Sequence, residues 1–87
     1  INTPVKITGP VPEVKIEKIL RPGDIGYDVM AVQERLREMG FYASYLNGTY
    51  DTVLADAVKE LEAQFSLKAD GICDENVLKI LGLKYYF

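Results

Sequence analysis

Apolar positions recur at helical spacing in three separate stretches of the chain. Val29, Val32, Leu36 and Met39 follow one another at steps of three, four and three. That spacing draws one stripe along a helix of about three turns. It predicts helix one over residues 28–39, with Asp28 as N-cap and Gly40 in the left-handed position just past the end. Leu54, Ala57, Val58, Leu61 and Phe65 predict helix two over 52–64, capped by Asp51. Asp56, Lys59, Glu60 and Glu62 then make its solvated face. Val77, Ile80 and Leu81 predict a short third helix over 75–81, capped by Asp74 and ended by Gly82.

The stretches between helices carry turn chemistry. Residues 41–47 form a loop with three aromatics, Phe41, Tyr42 and Tyr45, and Asn47-Gly48 is a strong turn pair. Residues 1–19 read differently. Pro4, Pro10 and Pro12 forbid a continuous helix there. Val5 to Thr8 and Val14 to Glu17 alternate apolar and polar, with Gly9-Pro10 as a turn between them. Two short strands, an extended arm on the domain and a semi-rigid linker all fit this pattern.

One local unit occurs twice. Gly48-Thr-Tyr-Asp51 and Gly71-Ile-Cys-Asp74 each read glycine, two residues, aspartate, then helix, and Ile25-Gly26-Tyr27-Asp28 is a looser third copy. Each is read as a turn that hands the chain to a capped helix. A shared calcium site would need six to eight oxygens in a dense loop. Aspartates at separate helix starts do not supply them, so no metal is expected.

Composition narrows the function classes. Eighty-seven residues make one domain, and 48% apolar content suits a folded one. A net charge of −3 with no Lys/Arg run gives no general attraction to nucleic acid. No run reaches the length of a membrane span, so no membrane insertion is expected. The chain begins at Ile1 with no secretory signal pattern, which reads as a processed product or a piece of something longer. There is no histidine. That removes the Ser-His-Asp and Cys-His nucleophile sets and nearly every zinc hydrolase site. The single cysteine, Cys73, lies in an apolar turn and reads as a small buried hydrophobe. No dinucleotide or phosphate loop is present, and no cofactor is expected. A carboxylate pair for glycoside cleavage would need a cleft that raises one pKa, and a domain this small has little interior to make one.

The order of these features resembles the peptidoglycan-binding domain appended to bacterial cell-wall hydrolases. The residues that carry the likeness are Leu20, Gly23, Gly26, Val29, Val32, Gln33 and Leu36, then Gly40-Phe41, Gly48, Tyr50, Ala57-Val58, and Leu67, Asp70, Gly71 and Ile72. They span about seven-tenths of the chain. Departures from the family pattern stand at Leu54 and Val77, where threonine is usual. Leu61-Glu62 replaces a Phe-Gln pair, and Asp51 and Asp74 replace common glycines.

The resemblance implies an all-α fold, a small three-helix bundle over residues 20–87, with residues 1–19 as an extended arm. It implies a non-catalytic module that holds an attached hydrolase or protease on the bacterial wall. The partners are then peptidoglycan and an attached catalytic domain, in a secreted or cell-envelope setting. The alternative is a diverged module that docks on its own catalytic domain, which the apolar departures at Leu54, Leu61 and Val77 favour.

Sugar rings pack on flat aromatic faces, and their hydroxyl and N-acetyl groups want polar partners at the rim. The expected ligand-binding residues are therefore Tyr42, Tyr45 and Tyr50, with Asn47 and Asp51 beside them. Against this, Phe41 and Tyr50 also read as core, and Tyr42 and Tyr45 as amphipathic cover. Gln33 lies one step off the stripe and reads as a structural amide that ties a loop backbone, ahead of a ligand contact. The tail Lys84-Tyr85-Tyr86-Phe87 reads as folding back on the core or arm, or as a patch for a partner.

Overall fold

The structure, a computed structural model, describes residues 14–87. The expectations for Pro4, Pro10, Pro12 and the Gly9-Pro10 turn lie outside the described residues. Three helices follow in chain order: α1, Tyr27–Glu38; α2, Thr52–Gln64; α3, Glu75–Leu81. All three pair with one another. Their shared core holds Val29, Val32, Leu36, Leu54, Val58, Leu61, Val77, Leu78 and Leu81. The fold is the all-α bundle expected from the apolar stripes, because each stripe has to be buried against the other two.

Helix starts and stops follow local chemistry. The Asp51 side chain accepts from the Leu54 amide at 3.0 Å, and that of Asp74 from the Val77 amide at 3.2 Å. Each satisfies an amide that the helix itself leaves free. Asp28 does not cap. Helix α1 begins one residue earlier with Gly26 at the cap position, and the Asp28 carboxylate turns to the Val29 amide at 2.8 Å. All three helices close with the same pair of backward bonds. The pairs run from Gly40 to Arg37 and Phe41 to Leu36, from Ser66 to Ala63 and Leu67 to Glu62, and from Gly82 to Lys79 and Leu83 to Leu78. The left-handed residue is glycine in α1 and α3, but Ser66 in α2, with φ of 58°. A serine there carries the steric cost of its Cβ.

Five assignments differ from the expectation. Met39 and Phe65 are exposed. Both stand just past the last helical residue, at the bundle end, where the other helices no longer cover the stripe. Leu78 is buried and Ile80 only half-buried, since α3 packs against both other helices and so buries a wider arc than one stripe. Glu62 is the fifth: expected on the solvated face of α2, it is 2% exposed.

Extended segments stitch the bundle through isolated pairings and form no regular strand among the described residues. Ile16 pairs in parallel with Tyr85, Leu20 antiparallel with Cys73, and Ile25 antiparallel with Thr49. Ile16 and Leu20 are fully buried in the core. The tail folds back: the Tyr86 amide donates to the Ile16 carbonyl at 2.8 Å, and Tyr85 packs on the core. Tyr86 and Phe87 remain about half exposed.

Candidate functional site

The aromatic loop between α1 and α2 is built around one side chain. Gln33 projects from α1 and is fully buried. Its amide nitrogen donates to the Tyr42 hydroxyl at 3.1 Å, to Asn47 Oδ1 at 3.0 Å and to the Thr49 carbonyl at 3.1 Å. Its Oε1 accepts from the Gly48 amide at 2.9 Å. Both ends of the amide are used, as a buried amide requires. Gln33 is the structural tie that its place beside the stripe suggested. Tyr42 passes the chain of bonds on, donating from its hydroxyl to the Tyr45 carbonyl at 2.6 Å. Burial pushes the Tyr42 phenol above its ordinary pKa and keeps it a donor.

The approach of Gly48 to Gly26 sets the loop's depth. The Gly26 amide donates to the Gly48 carbonyl at 2.9 Å, and a Cβ on Gly48 would stand 2.9 Å from the Gly26 carbonyl oxygen. With φ of 72°, Gly48 is a position that only glycine fills without strain.

The five expected ligand residues separate into two groups. Tyr42 and Tyr50 are 3% and 1% exposed, so neither ring offers a face to a ligand. Tyr50 instead donates from its hydroxyl to the Gly71 carbonyl at 2.6 Å, tying the first turn to the second. Tyr45 is 76% exposed and is the loop tyrosine with a free ring. Asn47 is exposed but shares its Oδ1 between the Gln33 amide and the Thr49 amide at 3.0 Å. Asp51 is half-buried and occupied as the α2 cap. Sequence spacing could not separate these roles, because a tyrosine serves equally as core or as cover until the packing is known.

Two features went unforeseen. A shallow, open depression of about 360 Å³ lies beside the loop, lined by Phe41 and by Glu60, Ala63 and Gln64 of α2. Its signal in the sequence was weak, since only Phe41 is aromatic. The other is Glu62. Its Oε1 accepts from the Gly71 amide at 2.9 Å, the same bond that Gln33 makes to Gly48. Burial lifts the Glu62 carboxyl to about 7, with the neighbouring Asp70 adding to the rise. A signal for it existed: Glu62 follows Leu61 as Gln33 follows Val32, each one step off its stripe.

No group of His, Cys, Asp and Glu among the described residues could hold a metal ion. Cys73 is fully buried, and burial drives its thiol well above the ordinary range, so it is an inert hydrophobe. No described helix is long and apolar enough to cross a membrane.

Residues 25–81 match the family model described as "Putative peptidoglycan binding domain". Among relatives, the chain is 32% identical over 80 residues to the chloroplastic protein disulfide isomerase pTAC5 of Arabidopsis thaliana, covering 88% of this chain and 20% of that protein. It is 34% identical over 56 residues to the N-acetylmuramoyl-L-alanine amidase CwlM of Mycobacterium tuberculosis, covering 64% of this chain and 14% of that one. The chain thus spans a small part of either relative. The solved N-terminal domain of SleB superposes with a TM-score of 0.75 at 25% identity, covering 79% of this chain and 94% of that one. The family match runs from the Ile25–Thr49 pairing through all three helices to Leu81, and on that basis the chain belongs to the peptidoglycan-binding domain family.

Proposed function

We propose that this domain is a non-catalytic module that holds an attached enzyme on peptidoglycan, with the aromatic loop as its ligand-facing edge. The observation that carries the reading is Tyr45. Its ring stands free on a loop whose backbone is fixed by Gln33, Tyr42 and Gly48. A loop backbone held this way loses little freedom when the ring stacks against a sugar, which lowers the cost of binding. Asn47 and Asp51 supply polar groups at the rim, and Tyr42 and Tyr50 contribute by fixing the loop from beneath.

Absence of histidine, the inert Cys73 and the open, shallow surface support a role without chemistry. Recognition through one shallow edge is weak by itself, and tethering to a second domain raises the effective concentration at the wall. Ile16 already packs in the core, so the chain before it is then the link to that domain, and the setting is the cell envelope or outside it. The test is retention of the isolated chain on insoluble purified peptidoglycan, compared with Tyr45→Ala. Retention that drops severalfold in the variant supports the reading. A chain left wholly in the supernatant sinks it.

A second reading has its own support. The likeness to pTAC5 runs over 88% of this chain, and that protein is described as a disulfide isomerase, not a wall enzyme. The departures at Leu54, Leu61 and Val77 do not add apolar surface, because all three are fully buried. Support for docking on a protein partner therefore rests on that likeness and on the exposed Tyr86 and Phe87 of the tail.

A further inference from the structure

Glu62 is a buried carboxyl where the equivalent position of the preceding helix holds an amide. Gln33 fills its site with a donor end and an acceptor end, both used. Glu62 matches the acceptor end alone, taking the Gly71 amide at 2.9 Å. A carboxyl acquires a donor end only by carrying a proton. The group placed to receive that donor is Asp70, one residue before Gly71 and in hydrogen-bonding reach of Glu62.

We propose that Glu62, Asp70 and Gly71 form a proton-operated latch on the α2–α3 joint. With one proton shared between the two carboxyls, Glu62 imitates an amide: it accepts from Gly71 and donates to Asp70. When that proton leaves, two carboxylates stand side by side at the turn before α3, Glu62 buried and Asp70 exposed, and the joint loosens.

The surroundings favour the proton. Asp70 and Asp74 both add negative charge near Glu62, and Tyr50 and Cys73 contribute no positive charge. Lys59, on the same helix, lies along Gly71, and Lys68 acts on Asp70, but no ion pair to Glu62 forms among the described residues. Burial and these acidic neighbours outweigh the Gly71 amide, which favours the charged form, and lift Glu62 to about 7, while the Ile72 amide and the shared bond hold Asp70 below its usual value. One of the two carboxyls is thus the proton's owner and the other its acceptor. The Gly71 carbonyl takes the Tyr50 hydroxyl at 2.6 Å, so movement here reaches the base of the aromatic loop.

This device does not depend on what the domain binds. The test compares two amides in one molecule. Hydrogen exchange, corrected for the intrinsic rate, is followed at Gly71 and Gly48 between about pH 5 and pH 8. Protection at Gly71 is expected to fall relative to Gly48 by up to about tenfold per pH unit until Glu62 has ionised. Glu62→Gln is expected to abolish that fall. Equal pH profiles at the two amides in the native chain would overturn the latch. Should Glu62→Gln not fold, the carboxyl carbon of Glu62 in the native chain decides by its NMR titration. A midpoint near 7 supports the proposal, and one in the ordinary carboxylate range refutes it.

Discussion

The two inter-helix joints of this domain share one backbone plan and differ in one functional group. In each, a polar side chain buried in a helix takes the amide of a left-handed glycine, and an aspartate three residues after that glycine caps the next helix. The first joint uses Gln33, the second Glu62. An amide presents a donor and an acceptor at every pH. A carboxyl presents both only while protonated, and alone in a dry site its ionised form is costly. The first joint is therefore a fixed scaffold for the Tyr45 loop. The second is the part of the fold most sensitive to its surroundings.

The comparison can be broken most severely at Gln33. Replacement by Leu leaves the Gly48 amide, the Thr49 carbonyl and the Tyr42 hydroxyl without their buried partner. A loss of about 4 kcal/mol is expected by urea unfolding, since each stranded group costs about 1–3 kcal/mol. Gln33→Glu should cost less at low pH and more at high pH, giving the first joint the habit of the second. Next comes Gly48→Ala, which combines a disfavoured φ with a 2.9 Å clash on the Gly26 carbonyl. About 3 kcal/mol is expected. Gly71→Ala, whose nearest neighbour is the flexible Lys59 at 3.1 Å, should cost about half as much. Equal losses would show that the two glycines are held alike.

Glu62 gives the next effect, with a definite sign. Its folded value of about 7 lies above the ordinary 4.5, so the folded chain holds the extra proton between those limits. Stability is then fullest below about pH 4.5 and declines as pH rises toward 7, by roughly 1–3 kcal/mol. Thermal unfolding across that window should show the decline in the native chain and not in Glu62→Gln. A rise in stability over the same window would contradict the assignment. The smallest change sharpens the helix ends. Ser66→Gly relieves the one left-handed residue with a side chain among the described residues and should stabilise by about 0.5–1 kcal/mol. The same substitution has no counterpart at Gly40 or Gly82, where glycine already stands.

Much of the fold was legible along the chain. The bounds of α2 and α3 follow from stripe and cap, because both are set by residues within one helical turn. The start of α1 was placed one residue late, since an aspartate near a helix start bonds whichever amide the chain direction offers. The site was less legible. Tyr42, Tyr45 and Tyr50 look alike in sequence, yet two are anchors and one is free. Glu62 looked like solvated cover because helix period alone puts it beside the polar face, whereas Gly71 arrives from nine residues away to enclose it.

The sequence by itself determined three helices, the aspartate caps of two of them, the turns between them, the absence of histidine chemistry and the family likeness, all of which rest on local spacing and residue type. The tertiary structure decided which side chains face water, which carboxyl is buried and which turn lies under which ring. Those outcomes depend on contacts between distant segments, and burial, which sets both exposure and proton affinity, exists only once they have closed.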